Sequence, residues 1–357
     1  MNMRDRAKVL LINNGYPSPF HPNYATYIAS IAECLAEANC DVDKMMIYYN
    51  HKISTIYQIV VYIKFWFIAF TKNLCEYDYI YINHAPYAWP VFFNITFRKK
   101  RTIVHWHGNE VVVKSLFLNI ARLVIKKRIK GCRHISPSQY FKTIVSSELG
   151  IPLQDILVSP SGGVDTSIFF PDLKTKDSES IILGFSSGMS KGKGSDIIMN
   201  LVTIVGELEK RIKRKVLFYI IDYGKDMYLY RERLCSNKNV VLIPKMPKND
   251  MPAFYNDIDL LLMSSRRSES LGLVVLEAMS CGKPVVSFES FAFPEFVLSG
   301  QSGEMVMYSE DIEVNTENFC DAICRVISTY DNYAPRAVVS NNYSKEYVVK
   351  QYMELFV

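Results

Sequence analysis

With 357 residues, 49% of them apolar and 22% charged, the chain is longer than one hydrophobic core usually serves. Its charged fraction is ordinary and it has no low-complexity run, which argues against long disordered segments. The net charge of +5 is unevenly placed, since residues 1–165 hold 19 Lys/Arg against 11 Asp/Glu and residues 166–357 hold 22 against 25; the basic first part suits phosphates, anionic lipid or nucleic acid.

In chain order, residues 9–12 form a short apolar run of strand type. Residues 23–38 then read as a helix, with Asn23 as its cap and Tyr27, Ile31, Cys34, Leu35 and Ala38 at three-to-four spacing. After a strand at 45–47 comes the most hydrophobic stretch, residues 56–70. It is interrupted by Lys64 and falls short of the roughly 20 residues that span a bilayer. It reads as a buried or half-buried helix, with a membrane-touching surface as the other reading. Strands at 79–83, 103–105, 134–136 and 156–158 continue a β/α alternation, which implies a mainly parallel sheet covered by helices. Within it, residues 116–130 form a basic amphipathic helix, with Asn119, Arg122, Lys126 and Lys130 opposite Phe117, Ile120, Ala121, Val124 and Ile125. That face is either a solvated cover over the core or, with Arg98, Lys99, Lys100 and Arg101, a surface that docks on anionic lipid. No nucleic-acid motif accompanies the charge, so no nucleic-acid partner is expected.

Residues 159–170 lead into a polar stretch through Ser180 that has the composition of a linker. The pattern then restarts, with strands at 181–183, 216–221, 240–243, 260–263 and 284–287 and a closing helical pattern at 344–356. The expected organisation is α/β: a first domain at 1–168, a second at 169–340, and a terminal helix at 341–357 packing back on the first. Two such domains leave a cleft, and open α/β sheets bind ligands beyond the carboxyl ends of their strands. The eight cysteines are scattered, without a Cys-x-x-Cys pair or zinc-finger spacing, and read as reduced thiols. A polar, Pro-rich stretch follows residues 9–12, unlike a signal peptide, so a cytoplasmic location is expected, peripheral to the membrane through the basic surface.

The strongest chemical signal runs from Ser264 to Val286, SSRRSESLGLVVLEAMSCGKPVV. A strand delivers the chain to a polar loop holding Glu269, and Gly272 opens a helix that carries Glu277 and stops at Gly282. Glu269 then lies just before the helix N-terminus and Glu277 about one and a half turns inside, so both can line one ligand together with the free N–H groups of the helix start. The plainer alternative makes Glu269 a partner of the helix dipole and Glu277 a surface residue. Yet Glu277 is embedded among Val274, Val275, Leu276, Ala278 and Met279, where an unpartnered carboxylate is costly. A second signal, Gly188-Met-Ser-Lys191-Gly-Lys193-Gly194-Ser-Asp196, follows the strand at 181–185; its glycines permit close backbone approach and its lysines offer charge to a phosphate. A third is His105-Trp-His107-Gly-Asn-Glu110, where His-x-His lacks a nearby third metal ligand.

At the Ser264 string the sequence resembles glycosyltransferase family four, of the GT-B fold, whose block reads S-x-x-E-G-F-G-L-x-x-x-E-A-M-A-x-G-x-P-V-V. It departs mainly at Ser270 and Leu271. The resemblance implies two Rossmann-like domains facing across a cleft and a retaining transfer from a nucleotide-sugar, UDP- or GDP-linked, with no metal and no further cofactor. It assigns Glu269 to the donor sugar hydroxyls and Glu277 to the ribose. Ser270, Leu271, Gly272, Leu273 and Pro244 complete the expected donor contacts. The family's G-R-L-x-x-x-K-G loop matches at Lys193-Gly194, so Lys193 is expected to stabilise the departing diphosphate. Gly188 stands where the family has Arg, with Lys191 as the candidate replacement. The family's H-G-x-E places His107 toward the transferred sugar and Glu110 in support of the loop or acceptor pocket. Gly15 is a candidate backbone contact near the diphosphate, Ser161 to Asp165 resembles the interdomain hinge, and Pro294-Glu295 and Ser302-Gly303 echo donor-pocket positions. Asp257-Ile258-Asp259 has the spacing of a metal motif but directly precedes a strand, and no metal role is expected. The acceptor is open between a glycan and a lipid-linked glycan, the basic surface of the first part favouring a lipid-linked glycan of cell-surface polysaccharide or lipopolysaccharide assembly. The competing readings are a sugar-nucleotide epimerase of similar architecture and a membrane-docked binding protein with a degenerate site. A dinucleotide oxidoreductase is disfavoured because no G-x-G-x-x-G follows the first strand.

Overall fold

The computed structural model describes residues 6–48, 55–172 and 179–356. The chain divides into two compact units, one reaching Gly163 and resuming at Lys345, the other Val164–Ser344.

In the first unit, β1 (Ala7–Asn13), β2 (Cys40–Met46), β3 (Tyr79–Asn83), β4 (Thr102–His105), β5 (Arg133–Ser136) and β6 (Ile156–Val158) form one parallel sheet in the order β2-β1-β3-β4-β5-β6. Val9, Leu10, Leu11 and Ile12 are all buried because both faces of a parallel sheet are covered. The covering helices are α1 (Thr26–Glu37), α2 (Thr55–Thr71), α3 (Asn109–Val112), α4 (Leu116–Ile129) and α5 (Gln139–Leu149), with a 3-10 segment at Ala85–Phe93. Ser115 and Ser138 cap α4 and α5 through their hydroxyls. The N-cap position of α1 is Ala25, not Asn23. That helix starts at Thr26, and the residue before it, Ala25, is left-handed and donates no side-chain cap.

The second unit holds β7 (Ser180–Phe185), β8 (Lys215–Asp222), β9 (Val240–Pro244), β10 (Leu260–Met263), β11 (Val285–Phe288) and β12 (Gly303–Val306), parallel in the order β12-β11-β10-β7-β8-β9. Its helices are α6 (Ser195–Thr203), α7 (Val205–Ile212), α8 (Met227–Cys235), α9 (Met251–Asp257), α10 (Leu273–Ser280), α11 (Ile312–Ser328) and α12 (Pro335–Asn342). Counted within the unit, this is the doubly wound order, with its reversal between β7 and β10. The last helix, α13 (Lys345–Leu355), lies in the first unit, where Val348, Tyr352 and Phe356 pack with Val9, Leu11 and Ile31.

The crossing between units falls at Gly163, short of residue 168. Val164 N donates to Tyr343 O at 2.9 Å, and Phe169 O accepts from Ser280 Oγ at 2.6 Å and an Arg336 guanidinium nitrogen at 2.8 Å. Residues 164–169 are thus tied down by the second unit. Of the polar stretch read as a linker, residues 173–178 lie outside the described residues.

One helix of the first unit differs from its sequence reading. The buried stripe of α4 is Leu118, Ala121, Ile125 and Ile129, so Phe117, Ile120 and Val124, expected in the core, are exposed. Arg122, expected on a solvated face, donates to the carbonyls of Val111 and Val113 and to Asn119 Oδ1. Charge spacing misplaced the stripe because one arginine directs its donors to the carbonyls at the end of α3. The hydrophobic α2 is half-buried: Phe65 and Ala69 face the core, while Ile56, Ile59, Ile63 and Phe67 face solvent. Among the described residues no helix is long and apolar enough to cross a membrane.

Candidate functional site

In the second unit the strand order puts the carboxyl ends of β7 and β10 side by side, so the loops that follow them meet. Gly194, left-handed at φ 74°, ends the first loop and starts α6; a Cβ there would stand 2.1 Å from Ser264 O. Glycine is required at that crossing. Ser264 Oγ donates to the carbonyls of Lys193 at 3.0 Å and Gly194 at 3.1 Å. Arg266 reaches back over the same loop, with 2.7 Å bonds to both carboxylate oxygens of Asp196 and to Lys191 O. The two motifs read separately in sequence form one platform.

On that platform Lys193 Nζ and Glu269 Oε1 are in direct ionic contact, and Ser265 Oγ donates to the same carboxylate oxygen at 2.9 Å. Gly272, at φ 93° with the Phe293 ring 2.8 Å from where a Cβ would stand, opens α10 and leaves the first N–H groups of that helix directed out of its end. Glu277 is 7% exposed. Its Oε2 accepts from Tyr255 OH at 3.1 Å, and Lys248 Nζ lies 3.8 Å from Oε1. Burial raises the Glu277 pKa, and Lys248 and Tyr255 oppose that rise without cancelling it. A costly buried carboxylate is thereby held at the carboxyl end of the sheet, and the surface-residue alternative fails.

The remaining donor-side positions divide. Leu271 is buried, so only its backbone is available to a ligand, while Ser270 and Leu273 are half-buried and Pro244 ends the edge strand β9, exposed. Gly188 has φ 74° and the Tyr223 ring 2.8 Å from a hypothetical Cβ, so this backbone has no room for the arginine of the family pattern. Lys191 is exposed and its N–H donates to Asp226 Oδ2 at 2.9 Å. The sequence reading missed Arg267. Its Cγ and Cδ lie 2.8 Å from where a Cβ on Gly192 would stand, which drapes the side chain over the Lys191–Lys193 turn. Its guanidinium makes no hydrogen bond or ion pair among the described residues. No fixed spacing flags such a residue; only the contact with Gly192 does. Asp259, of the Asp-x-Asp, accepts from Ile182 N at 2.7 Å and so pins neighbouring strands. Ser302 Oγ closes its own turn with Phe296 O at 2.7 Å.

In the first unit the strand order reverses between β1 and β3, and the loops after β1, β3 and β4 gather there. His107 is buried. Nε2 lies 2.8 Å from Asn83 Oδ1 and Nδ1 lies 3.2 Å from Ser161 Oγ. Since Asn83 Oδ1 only accepts, the ring proton sits on Nε2 and Nδ1 accepts from the serine. Burial, then His105 and His84, hold the His107 pKa well below the ordinary histidine value, so the ring is neutral. Glu110 is fully buried: its carboxylate accepts from the backbone N–H of His107 and, at 3.0 Å, of Gly108, and it pairs with His84 Nδ1 at 3.0 Å. Burial pushes the Glu110 pKa up, but His84 and the backbone N–H groups of His107 and of Glu110 itself outweigh it and the net shift is downward. His84, absent from the sequence reading, has a left-handed backbone at φ 48° and also bonds Tyr27 OH. Gly15 is buried under Tyr24, whose ring edge stands 2.4 Å from a hypothetical Cβ.

Two doubly wound parallel sheets, with charged ligand-type groups at the strand ends of one and a buried His–Glu cluster at those of the other, make this a two-unit α/β protein of the GT-B class. Residues 169–352 match the family described as glycosyl transferases group 1, and the chain belongs to that family. A protein of the cps region of Klebsiella pneumoniae, itself uncharacterized, is 28% identical over 50% of this chain and 46% of its own. The GDP-mannose-dependent alpha-(1-6)-phosphatidylinositol monomannoside mannosyltransferase of Mycolicibacterium smegmatis is 29% identical over 58% of this chain and 57% of its own. The chain spans about half the length of these two relatives. Among solved structures, Anabaena HepE in complex with UDP and glucose superposes with a TM-score of 0.71 at 19% identity, over 98% of this chain and 99% of that one, a likeness of fold.

Proposed function

We propose that this protein transfers a sugar, with retention of configuration, from a UDP- or GDP-linked donor to a glycan or lipid-linked glycan. The observation that carries the reading is the Lys193–Glu269 contact on the platform where the loops after β7 and β10 meet. A cation for the leaving diphosphate and a carboxylate for sugar hydroxyls are there set side by side at a helix start. In this reading Glu277 takes the ribose, Gly272 and Leu273 supply N–H groups, and Lys193 stabilises the departing charge electrostatically. Arg267 contributes the second cation that Gly188 cannot carry. The bond from the anomeric carbon to the phosphate oxygen breaks, the bond to the acceptor oxygen forms on the same face, and a leaving-group oxygen receives the acceptor proton. No metal or further cofactor enters the scheme.

The acceptor belongs to the first unit, near His107. With both ring nitrogens engaged and its pKa depressed, neutral His107 contributes shape and polarity and is not a base. Glu110 acts as a positioning residue that holds the His107–Gly108 backbone. The cps-region relative and the relative acting on a phosphatidylinositol mannoside support an acceptor of surface-polysaccharide or lipid-linked type. The basic residues 98–101 and 116–130 support work at an anionic membrane surface, on its cytoplasmic side.

A thermal-shift panel of UDP-, GDP- and ADP-sugars tests the donor half. One UDP- or GDP-sugar should raise the melting temperature with concentration, by about 2.7 kcal/mol of stabilisation at one hundred times its dissociation constant. If none of them stabilised the fold, the donor assignment would be wrong.

A further inference from the structure

We infer that α2 is a hydrophobic anchor that lies in the interface of an anionic bilayer. The exposed side chains of α2 include Ile56, Ile59, Val60, Ile63, Phe67 and Phe70, which recur at i, i+3, i+4, i+7, i+11 and i+14 and therefore form one strip along the helix. Water meets it directly: Ile56 is 75% and Phe67 67% exposed. The strip continues onto α4, because Trp66 stacks on Phe117 with ring centroids 6.1 Å apart and 15° between planes. There Leu116, Ile120, Leu123 and Val124 are also exposed. A contiguous apolar surface on this scale marks a binding face.

Charge selects the occupant. Neither α2 nor α4 contains an acidic residue, whereas Lys64, Lys126, Lys127 and Arg128 lie on them. Lys99, from the run of four bases before β4, reaches Lys127 O at 3.4 Å, so that run and the basic end of α4 are adjacent. A second copy of this face would set cation against cation. An anionic lipid surface instead attracts the bases, while its acyl boundary accepts the strip.

The placement ties this anchor to the candidate acceptor region, and only in that respect does the inference rest on the proposed function. The inner face of α2 bonds the loops in question: Asn14 Nδ2 donates to Tyr62 OH at 3.3 Å, and Trp66 Nε1 donates to Tyr87 O at 2.8 Å in the segment that follows His84. An anchored α2 holds those loops at the lipid headgroups, where a lipid-linked acceptor is presented.

Flotation with vesicles of phosphatidylglycerol and phosphatidylcholine, or of phosphatidylcholine alone, at 0.1 M and 1 M NaCl tests this. The wild-type protein should bind the anionic vesicles at least tenfold more tightly than the neutral ones and should stay on them in high salt. The triple variant Ile59→Ser/Ile63→Ser/Phe67→Ser should lose the salt-resistant fraction, whereas Lys126→Glu/Lys127→Glu/Arg128→Glu should lose the preference for anionic lipid. Complete release of the wild type by salt, or salt-resistant binding by the serine variant, would overturn the anchor and leave electrostatic docking alone. A dimer in equilibrium sedimentation that the serine variant dissolves would give the face to a second copy and overturn it as well. The substituted residues are exposed, and an unchanged melting temperature checks that the variant folds. Vesicle binding is read without donor, so its failure is distinct from a failure of donor binding in the thermal-shift panel.

Discussion

Glu277 and Arg267 concentrate the donor reading at the scale of single residues. A carboxyl whose folded pKa is raised contributes most to stability below its unfolded value, and that contribution is lost as pH rises through the folded value. At neutral pH, Glu277 is therefore a cost the fold carries. Glu277→Gln should melt at the same temperature as the wild type or above it, yet bind the nucleotide-sugar at least tenfold more weakly by calorimetry. A melting temperature several degrees lower would show the carboxylate to be structural. Arg267→Ala should weaken donor binding about tenfold, since a charge-assisted hydrogen bond is worth about 1.5–3 kcal/mol. Lys191→Ala should do less, because only Arg267 is draped over the turn. Glu269, Lys193 and Glu277 were legible in the sequence as members of motifs. Their relations were not: the contact between Lys193 and Glu269 spans 76 positions and depends on β7 and β10 being neighbours. Arg267 and His84 carried no signal, since one is defined by a glycine 75 positions away in sequence and the other by a left-handed backbone and a buried partner.

At the scale of elements, β4 and β5 carry a pH dependence. Burial lowers His105 on β4 to about 3 and His134 on β5 to about 4, and it holds His107, just after β4, well down too. Each binds a proton in the unfolded chain below about pH 6.5 and none in the folded one, so stability rises with pH through this window and is lost on acidification. Each contributes up to about 1.4 kcal/mol per pH unit below that value. Thermal denaturation between pH 7 and 5 should show a steep fall, and His134→Gln should flatten it by about a third. A flat profile would place these rings in contact with water. The strands themselves were readable as apolar runs, because a parallel sheet buried on both faces leaves few polar positions. The buried face of α4 was not: apolar character alone suggested core for Phe117, Ile120 and Val124, which the structure exposes, since the inner stripe is already filled by Leu118, Ala121, Ile125 and Ile129.

The whole molecule joins two doubly wound units with different charge, the basic one holding a buried histidine cluster and an apolar helical face, the other a loop platform suited to a diphosphate. Two α/β domains in series were evident from the restart of the strand pattern after residue 180. Their junction at Gly163 was not, because it is set by the hydrogen bond from Val164 to Tyr343 at the far end of the second unit. Sugar transfer from a nucleotide donor through Lys193 and Glu269 is what joins these two units in the proposed function. It is tested most directly by following nucleoside diphosphate release and glycosylated product from the stabilising donor, with a lipid-linked glycan acceptor, in the wild type, Lys193→Ala and Glu269→Gln. Product with the anomeric configuration of the donor is expected from the wild type, with at least a hundredfold loss of transfer in each variant. Transfer at the wild-type rate in both would contradict this expectation.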